Sequence, residues 1–179
     1  MLQEIIFAGF GGQGVLSMGQ ILAYAAIIEN REVSWMPSYG PEMRGGTANC
    51  ITIISDDVIS SPIISKFDTA IMLNQPSIEK FEQAITPGGI MIYETNNVSK
   101  PPTRTDIKIY PVSAAEEALK LKNSRVMNVI VLGALLKIRG TVKTDSVMAA
   151  LKKALPERYH NLLPLNEQAL MRCMELIKV

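Results

Sequence analysis

Two glycine-rich segments carry the residue types from which a phosphate site is built. The first is Gly9-Phe10-Gly11-Gly12-Gln13-Gly14, and the second runs from Pro37 to Cys50 as PSYGPEMRGGTANC. In the first, Gly9, Gly11 and Gly14 stand at the three glycine positions of a dinucleotide fingerprint, after an apolar run and before a helical period. Glycine permits a tight turn and close approach of a phosphate to the backbone. The N-terminus of the following helix offers unpaired amides at a positive dipole end. In the second, Gly40 and the Gly45-Gly46 pair allow sharp turns, Pro41 stiffens the chain, Tyr39 supplies shape, and Arg44 offers a permanently charged fork for phosphate or carboxylate. Glu42 either holds Arg44 in place or pairs with a neighbouring subunit; a plain loop-stiffening ion pair between the two stands as the alternative.

A dinucleotide site of this type places an acidic residue about 20 residues beyond the glycines, at the end of the second strand, to bind ribose hydroxyls. Here that strand ends in Trp35-Met36-Pro37-Ser38, and Glu29 and Glu32 both precede it. The pattern therefore argues against NAD or FAD. Two readings remain for the first segment: a phosphate-binding turn, or glycines that simply let a helix pack close to a sheet.

Together the two stretches, GFGGQGV at Gly9 to Val15 and PSYGPEMRGGTANC at Pro37 to Cys50, resemble the gamma subunit of the 2-oxoacid:ferredoxin oxidoreductases, most closely the 2-oxoglutarate type. The resemblance extends in order and type of elements through Gly140 and weakens in the C-terminal helical tail. It implies a complex in which alpha and beta subunits hold thiamine diphosphate, iron–sulfur clusters pass electrons to ferredoxin, and coenzyme A takes the acyl group. The gamma unit of such complexes holds none of the redox centres and is associated with coenzyme A binding and with packing on the catalytic subunits. Carried onto this chain, that implies a non-catalytic subunit with alpha, beta and ferredoxin-like delta partners, helping to form succinyl-CoA. Backbone amides at Gly11, Gly12, Gln13 and Gly14 would meet a coenzyme A phosphate, with Gly9 shaping the turn and Tyr39, Arg44, Gly45 and Gly46 completing the site. The same subunit of a pyruvate, branched-chain or indolepyruvate enzyme is the near alternative. A stand-alone nucleotide-binding oxidoreductase, recognisable by NAD(P)H or flavin binding, is the alternative of another class.

Other reactive residue types lack partners in sequence. His160, the only histidine, lies between predicted helices without neighbours for a triad or metal site, and reads as a solvated or capping residue. Cys50 reads as a small buried apolar residue. Asn74-Gln75-Pro76-Ser77 follows a buried strand, where α/β sheets bind ligands, but is equally a helix start. Most of the ten methionines fall on apolar periods and read as core.

These residues need a scaffold. Glu4 to Ala8 predicts a parallel strand buried on both faces, and apolar spacing predicts a helix from Gly12 to Glu29, then a strand at Val33 to Met36. Ala48 to Ser55 predicts a strand, with Val58-Ile59-Ser60 as a hairpin return after the Asp56-Asp57 turn. Further strands are expected at Thr69 to Leu73, Ile90 to Tyr93 and Ile107 to Val112, and a proline-opened helix at Pro76 to Ile85. Ser113-Ala114-Ala115-Glu116 matches a capping box, and helices are expected at Val126 to Ile138, Thr144 to Leu155 and Leu165 to Ile177. The expected fold is one α/β domain with a mostly parallel, doubly wound, Rossmann-like sheet and a helical C-terminal third.

Composition narrows the function classes. The 179 residues carry 18 Lys plus Arg against 17 Asp plus Glu, which provides no field for nucleic acid or an anionic membrane. Cys50 and Cys173 are the only cysteines, too few for a cysteine-ligated cluster built by this chain alone; the clusters that the resemblance implies are expected in partner subunits. The start Met1-Leu2-Gln3-Glu4 lacks a basic leader, and the Val126 to Leu136 run is short of a membrane span. A cytoplasmic location is expected.

Overall fold

The computed structural model describes residues 1–39 and 47–177, so the segment from Gly40 to Gly46 lies outside the described residues. Within them six strands form one sheet: β1 (Leu2–Phe10), β2 (Glu32–Tyr39), β3 (Thr47–Ser55), β4 (Phe67–Met72), β5 (Ile85–Glu94) and β6 (Lys108–Val112), in the order β2-β3-β1-β4-β5-β6. β3 runs antiparallel to both β1 and β2, while β1, β4, β5 and β6 pair in parallel. The mostly parallel α/β sheet expected from the sequence is therefore present.

The six helices are α1 (Val15–Ile28), α2 (Gln75–Phe81), α3 (Ala114–Lys120), α4 (Met127–Arg139), α5 (Thr144–Ala154) and α6 (Leu163–Leu176). Strand alternation sorts them. Ile5 and Phe7 of β1 join the core formed with α1, α4, α5 and α6, while Ile6 and Ala8 join the smaller core under α2. β1, buried on both faces, thus reads as a continuous apolar run. α4 is buried along eight consecutive residues, Val129 to Leu136, as expected of a helix enclosed on all sides.

Three local expectations are corrected. The hairpin partner of β3 is β2, not Val58 to Ser60, which makes no strand and leaves Val58 85% exposed. β3 consequently occupies the place beside β1 that a simple strand–helix–strand unit would give to β2. The reason is proximity: two strands joined by a short glycine-rich segment pair with each other before either finds a distant partner. β5 starts at Ile85 and runs through Pro87-Gly88-Gly89, which tolerates them through a register irregularity against β4. The capping box at Ser113 is not formed: Ser113 Oγ lies 3.1 Å from Thr95 Oγ1, and the α3 amide of Ala115 donates to the buried Glu94 carboxylate at 3.3 Å.

Candidate phosphate site at the glycine turn

β1 and β4 are adjacent and parallel, but α1 leaves β1 toward one face and α2 leaves β4 toward the other. Their carboxyl ends therefore diverge, which makes a topological switch point, the place where open α/β sheets bind ligands. The first glycine segment sits on it. Gly12 (φ +95°) and Gly14 (φ +77°) adopt left-handed backbone that other residues enter only with strain. Gly9 lies within β1, where a Cβ would come within 2.7 Å of Gln13 Oε1 and 2.9 Å of Leu73 Cβ.

Gln13 departs from its expected part as an amide donor. Its backbone N–H donates to Phe10 O (3.2 Å), its Oε1 accepts from Phe10 N (2.7 Å), and its Nε2 donates to Leu73 O (3.2 Å). The side chain closes the turn and clips it to the end of β4. Among the described residues, the amides of Gly11, Gly12 and Gly14 donate to no protein acceptor. α1 begins at Gly14 without a side-chain cap and without an acid in its first turn, so its positive end is uncompensated. A cleft of about 320 Å³ opens there, lined by Gly11, Gly12, Gly14, Leu16, Ser17 and Ala48. Donors, positive potential and space together suit an anionic oxygen cluster of phosphate size.

The structure adds residues that sequence reading passed over. The start of α4 meets the turn from the other side, where Ser124, Arg125 and Asn128 line a smaller cleft of about 110 Å³ with Gly12, Gln13 and Gly14. Asn128 occupies the space a side chain at Gly14 would need: a Cβ there would fall 2.4 Å from Asn128 Nδ2. The only local signal was Asn123, whose Oδ1 accepts from Arg125 N (3.0 Å) and so marks a helix entry. Nothing in that signal links Arg125 to a turn more than a hundred residues earlier.

Gly45, Gly46 and Arg44 lie outside the described residues, and Tyr39 is described in its backbone only. The flanks of that segment are informative. Tyr39 pairs with Ala48, and Ala48 and Thr47 pair with Gly9 and Phe10, so both glycine-rich segments are anchored at the same end of the sheet.

Other candidates take structural parts. Asn74 caps α2, its Oδ1 accepting from Ser77 N at 2.9 Å, and His160 Nε2 lies 2.9 Å from Leu155 O at the end of α5. Met18, Met72 and Met91 are core. Cys50 and Cys173 are buried, and burial pushes both thiols up to about 12. Neither supplies a thiolate at neutral pH. Titration with an aromatic disulfide reagent at pH 8 is expected to find no reactive thiol in the native chain and two in denaturant; rapid native labelling of either would show that its site opens. No helix among the described residues is long and apolar enough to cross a membrane.

Comparison with known proteins places this geometry in context. The family model for pyruvate ferredoxin/flavodoxin oxidoreductase matches residues 4–176. The ketoisovalerate oxidoreductase subunit VorA of Methanothermobacter thermautotrophicus is 42% identical over 135 residues, which is 75% of this chain and 28% of VorA. The chain thus spans just over a quarter of that relative's length. The 2-oxoglutarate synthase subunit KorC of Methanocaldococcus jannaschii is 35% identical over 163 residues, covering 88% of this chain and 86% of KorC. Among solved structures, the keto/oxoacid ferredoxin oxidoreductase gamma subunit from Geobacter sulfurreducens superposes with a TM-score of 0.82 at 28% identity, over 97% of this chain and 96% of that one. The 2-oxoglutarate:ferredoxin oxidoreductase from Magnetococcus marinus shares the fold at a TM-score of 0.89 and 22% identity, over 99% of this chain and 32% of that one.

Proposed function

The chain belongs to the pyruvate ferredoxin/flavodoxin oxidoreductase family, and on that footing we propose that it is the gamma subunit of a 2-oxoacid:ferredoxin oxidoreductase that holds coenzyme A. The observation that carries the reading is the glycine turn at the β1/β4 switch point, with amides of Gly11, Gly12 and Gly14 and the bare start of α1 facing one cleft. Those donors fit a coenzyme A phosphate, with Arg44, Gly45, Gly46 and Tyr39 closing the site from the second segment. When bound, coenzyme A supplies the thiol that accepts an acyl group. In this reading the residues of this chain bind and orient, and among the described residues both cysteines are buried and His160 Nε2 lies against the end of α5.

Alpha and beta subunits carrying thiamine diphosphate, a ferredoxin-like delta subunit and ferredoxin as electron acceptor complete the proposed cytoplasmic assembly. Exposed apolar residues Leu2 and Val58, which border a cleft of about 340 Å³ with Ile53 and Ile64, support such packing. The proposed substrate is 2-oxoglutarate, giving succinyl-CoA, on the strength of the PSYGPEMRGGTANC segment and the end-to-end likeness to KorC. A branched-chain 2-oxoacid is the second reading, favoured by the likeness to VorA.

Tagging the chain in its host and assaying what it retains for coenzyme A-dependent viologen reduction, with a panel of 2-oxoacids, separates the two substrates. Within that assembly, Gly12→Val and Arg44→Ala are each expected to weaken coenzyme A binding about tenfold, the loss of one good charge-assisted contact. Unchanged affinity in both variants would reject the site.

A further inference from the structure

We propose that Gly19, one turn into α1, is a positioning residue for the anion site: by carrying no side chain it lets α1 lie close against β3, and that closeness sets the width of the cleft at the helix start. The inference rests on the coenzyme A reading and names what holds that site to size.

The cleft stands between two elements. Val15, Leu16 and Ser17 of α1 line one side of the glycine turn, and Ala48 of β3 lines the other. Its width therefore follows the separation of helix and strand a few residues further along. Side chains on β3 alternate, and Ala48, Cys50, Thr52 and Ile54 all face α1. Cys50 and Thr52 meet the helix at Gly19. A Cβ there would fall 2.5 Å from Cys50 Sγ, 2.9 Å from Thr52 Oγ1 and 3.0 Å from Trp35 Nε1. Trp35 pairs with Thr52 across the β2–β3 ladder, so one glycine meets both strands of the hairpin.

The groups opposite Gly19 have little room to yield. Cys50 and Thr52 are fully buried, Trp35 packs against the main core, and a β-branched threonine in a strand is stiff at χ1. The Cys50 thiol donates to Val15 O at 3.5 Å and the Thr52 hydroxyl donates to Gly19 O at 3.4 Å. Both bonds are long and therefore weak, so they align the helix, and the steric stop decides how near it comes. Non-bonded atoms settle about 3.5–4.0 Å apart, so a methyl at position 19 asks α1 to retreat from β3 by about 1 Å. A binding site holds its geometry to about 0.5 Å, and the start of α1 carries the amides that face the cleft. A residue that served packing alone would change stability and leave the affinity of the folded chain as it is.

The test uses the assembly that the chain retains, assayed with coenzyme A and the 2-oxoacid it turns over. Gly19→Ala is expected to raise the KM for coenzyme A about tenfold and to leave kcat and the KM for the 2-oxoacid unchanged. Adding Cys50→Ala removes the sulfur opposite the new methyl, and the double variant is expected to return to within about threefold of the wild-type coenzyme A KM. Cys50→Val crowds the same contact from the strand side, with an expected rise of about threefold, and keeps the proposal testable should Gly19→Ala fail to fold. If Gly12→Val raises the coenzyme A KM while Gly19→Ala and Cys50→Val do not, Gly19 serves packing only; the positioning role is then overturned and the anion site stands. A rise in Gly19→Ala that Cys50→Ala does not reverse also overturns it, because crowding against β3 is then not the cause. If Gly12→Val has no effect either, the coenzyme A reading falls and the positioning role falls with it.

Discussion

Gly133→Ala is expected to destabilise the chain by about 3 kcal/mol, or roughly 6–12 °C in Tm for a chain of this length. Gly133 lies at the centre of α4, where a Cβ would stand 2.2 Å from the backbone oxygen of Leu170 and 3.1 Å from its carbonyl carbon. The obstacle is main chain within α6, which cannot rotate aside as a side chain would. α4 and α6 must separate, opening contacts around Leu170 and Cys173, both buried in the main core. In an isolated helix the same change would be favourable by roughly 0.5–1 kcal/mol, since alanine is the better helix former. The sign of the effect therefore reports the tertiary contact directly. Thermal unfolding of the purified variant measures it; a Tm equal to or above wild type would mean that α4 and α6 do not meet at this point.

Gly14→Ala is expected to have the largest effect on ligand binding, lowering coenzyme A affinity by about thirtyfold or more. Two costs add. The position has φ +77°, which costs a non-glycine residue about 1–2 kcal/mol, and a Cβ would lie 2.4 Å from Asn128 Nδ2 and 2.8 Å from its Cγ. Asn128 must swing out of the cleft it lines, carrying away one wall of the site. Gly12→Ala separates the costs, because nothing lies within 4 Å of a Cβ there and only backbone strain is paid. Binding and thermal melts of the two variants side by side are expected to rank Gly14→Ala well below Gly12→Ala. Equal behaviour would mean that Asn128 takes no part in holding the turn against α4.

The chemistry of the glycine turn was legible because it is local. Three glycines, an apolar strand before them and a helical period after them suffice to predict a turn with exposed amides, and Gly12 and Gly14 do adopt the backbone that glycine alone enters freely. The missing acid at the end of β2 was legible for the same reason. Gln13 was not. Its side chain closes the turn on Phe10 and reaches Leu73 some sixty residues away, and only pairing of β1 with β4 brings that carbonyl within reach.

Strand placement shows the same division. The isoleucine- and threonine-rich run from Ala48 to Ser55 located β3 within one residue of its start, yet the return strand expected at Val58 to Ser60 does not exist. Val58 and Ile59 have strand-like side chains, but a free strand also needs a vacant edge, and β2 and β1 already occupy both edges of β3. At Ser113 the capping pattern was present and its hydrogen bond was not: Ser113 Oγ pairs with Thr95 Oγ1, and Glu94 at the end of β5 accepts from the Ala115 amide instead.

By itself, then, the sequence determined the alternating strands and helices, the glycine turn with its donors and family, because each is written in neighbouring residues whose backbone preferences act over a few ångströms. The tertiary structure alone decided that β3 sits between β1 and β2, that α1 and α2 leave the sheet on opposite faces, and that Arg125 and Asn128 line a cleft with Gly12 and Gly14. Those outcomes follow from competition for sheet edges and from burial of helix faces, and both depend on residues far apart in the chain.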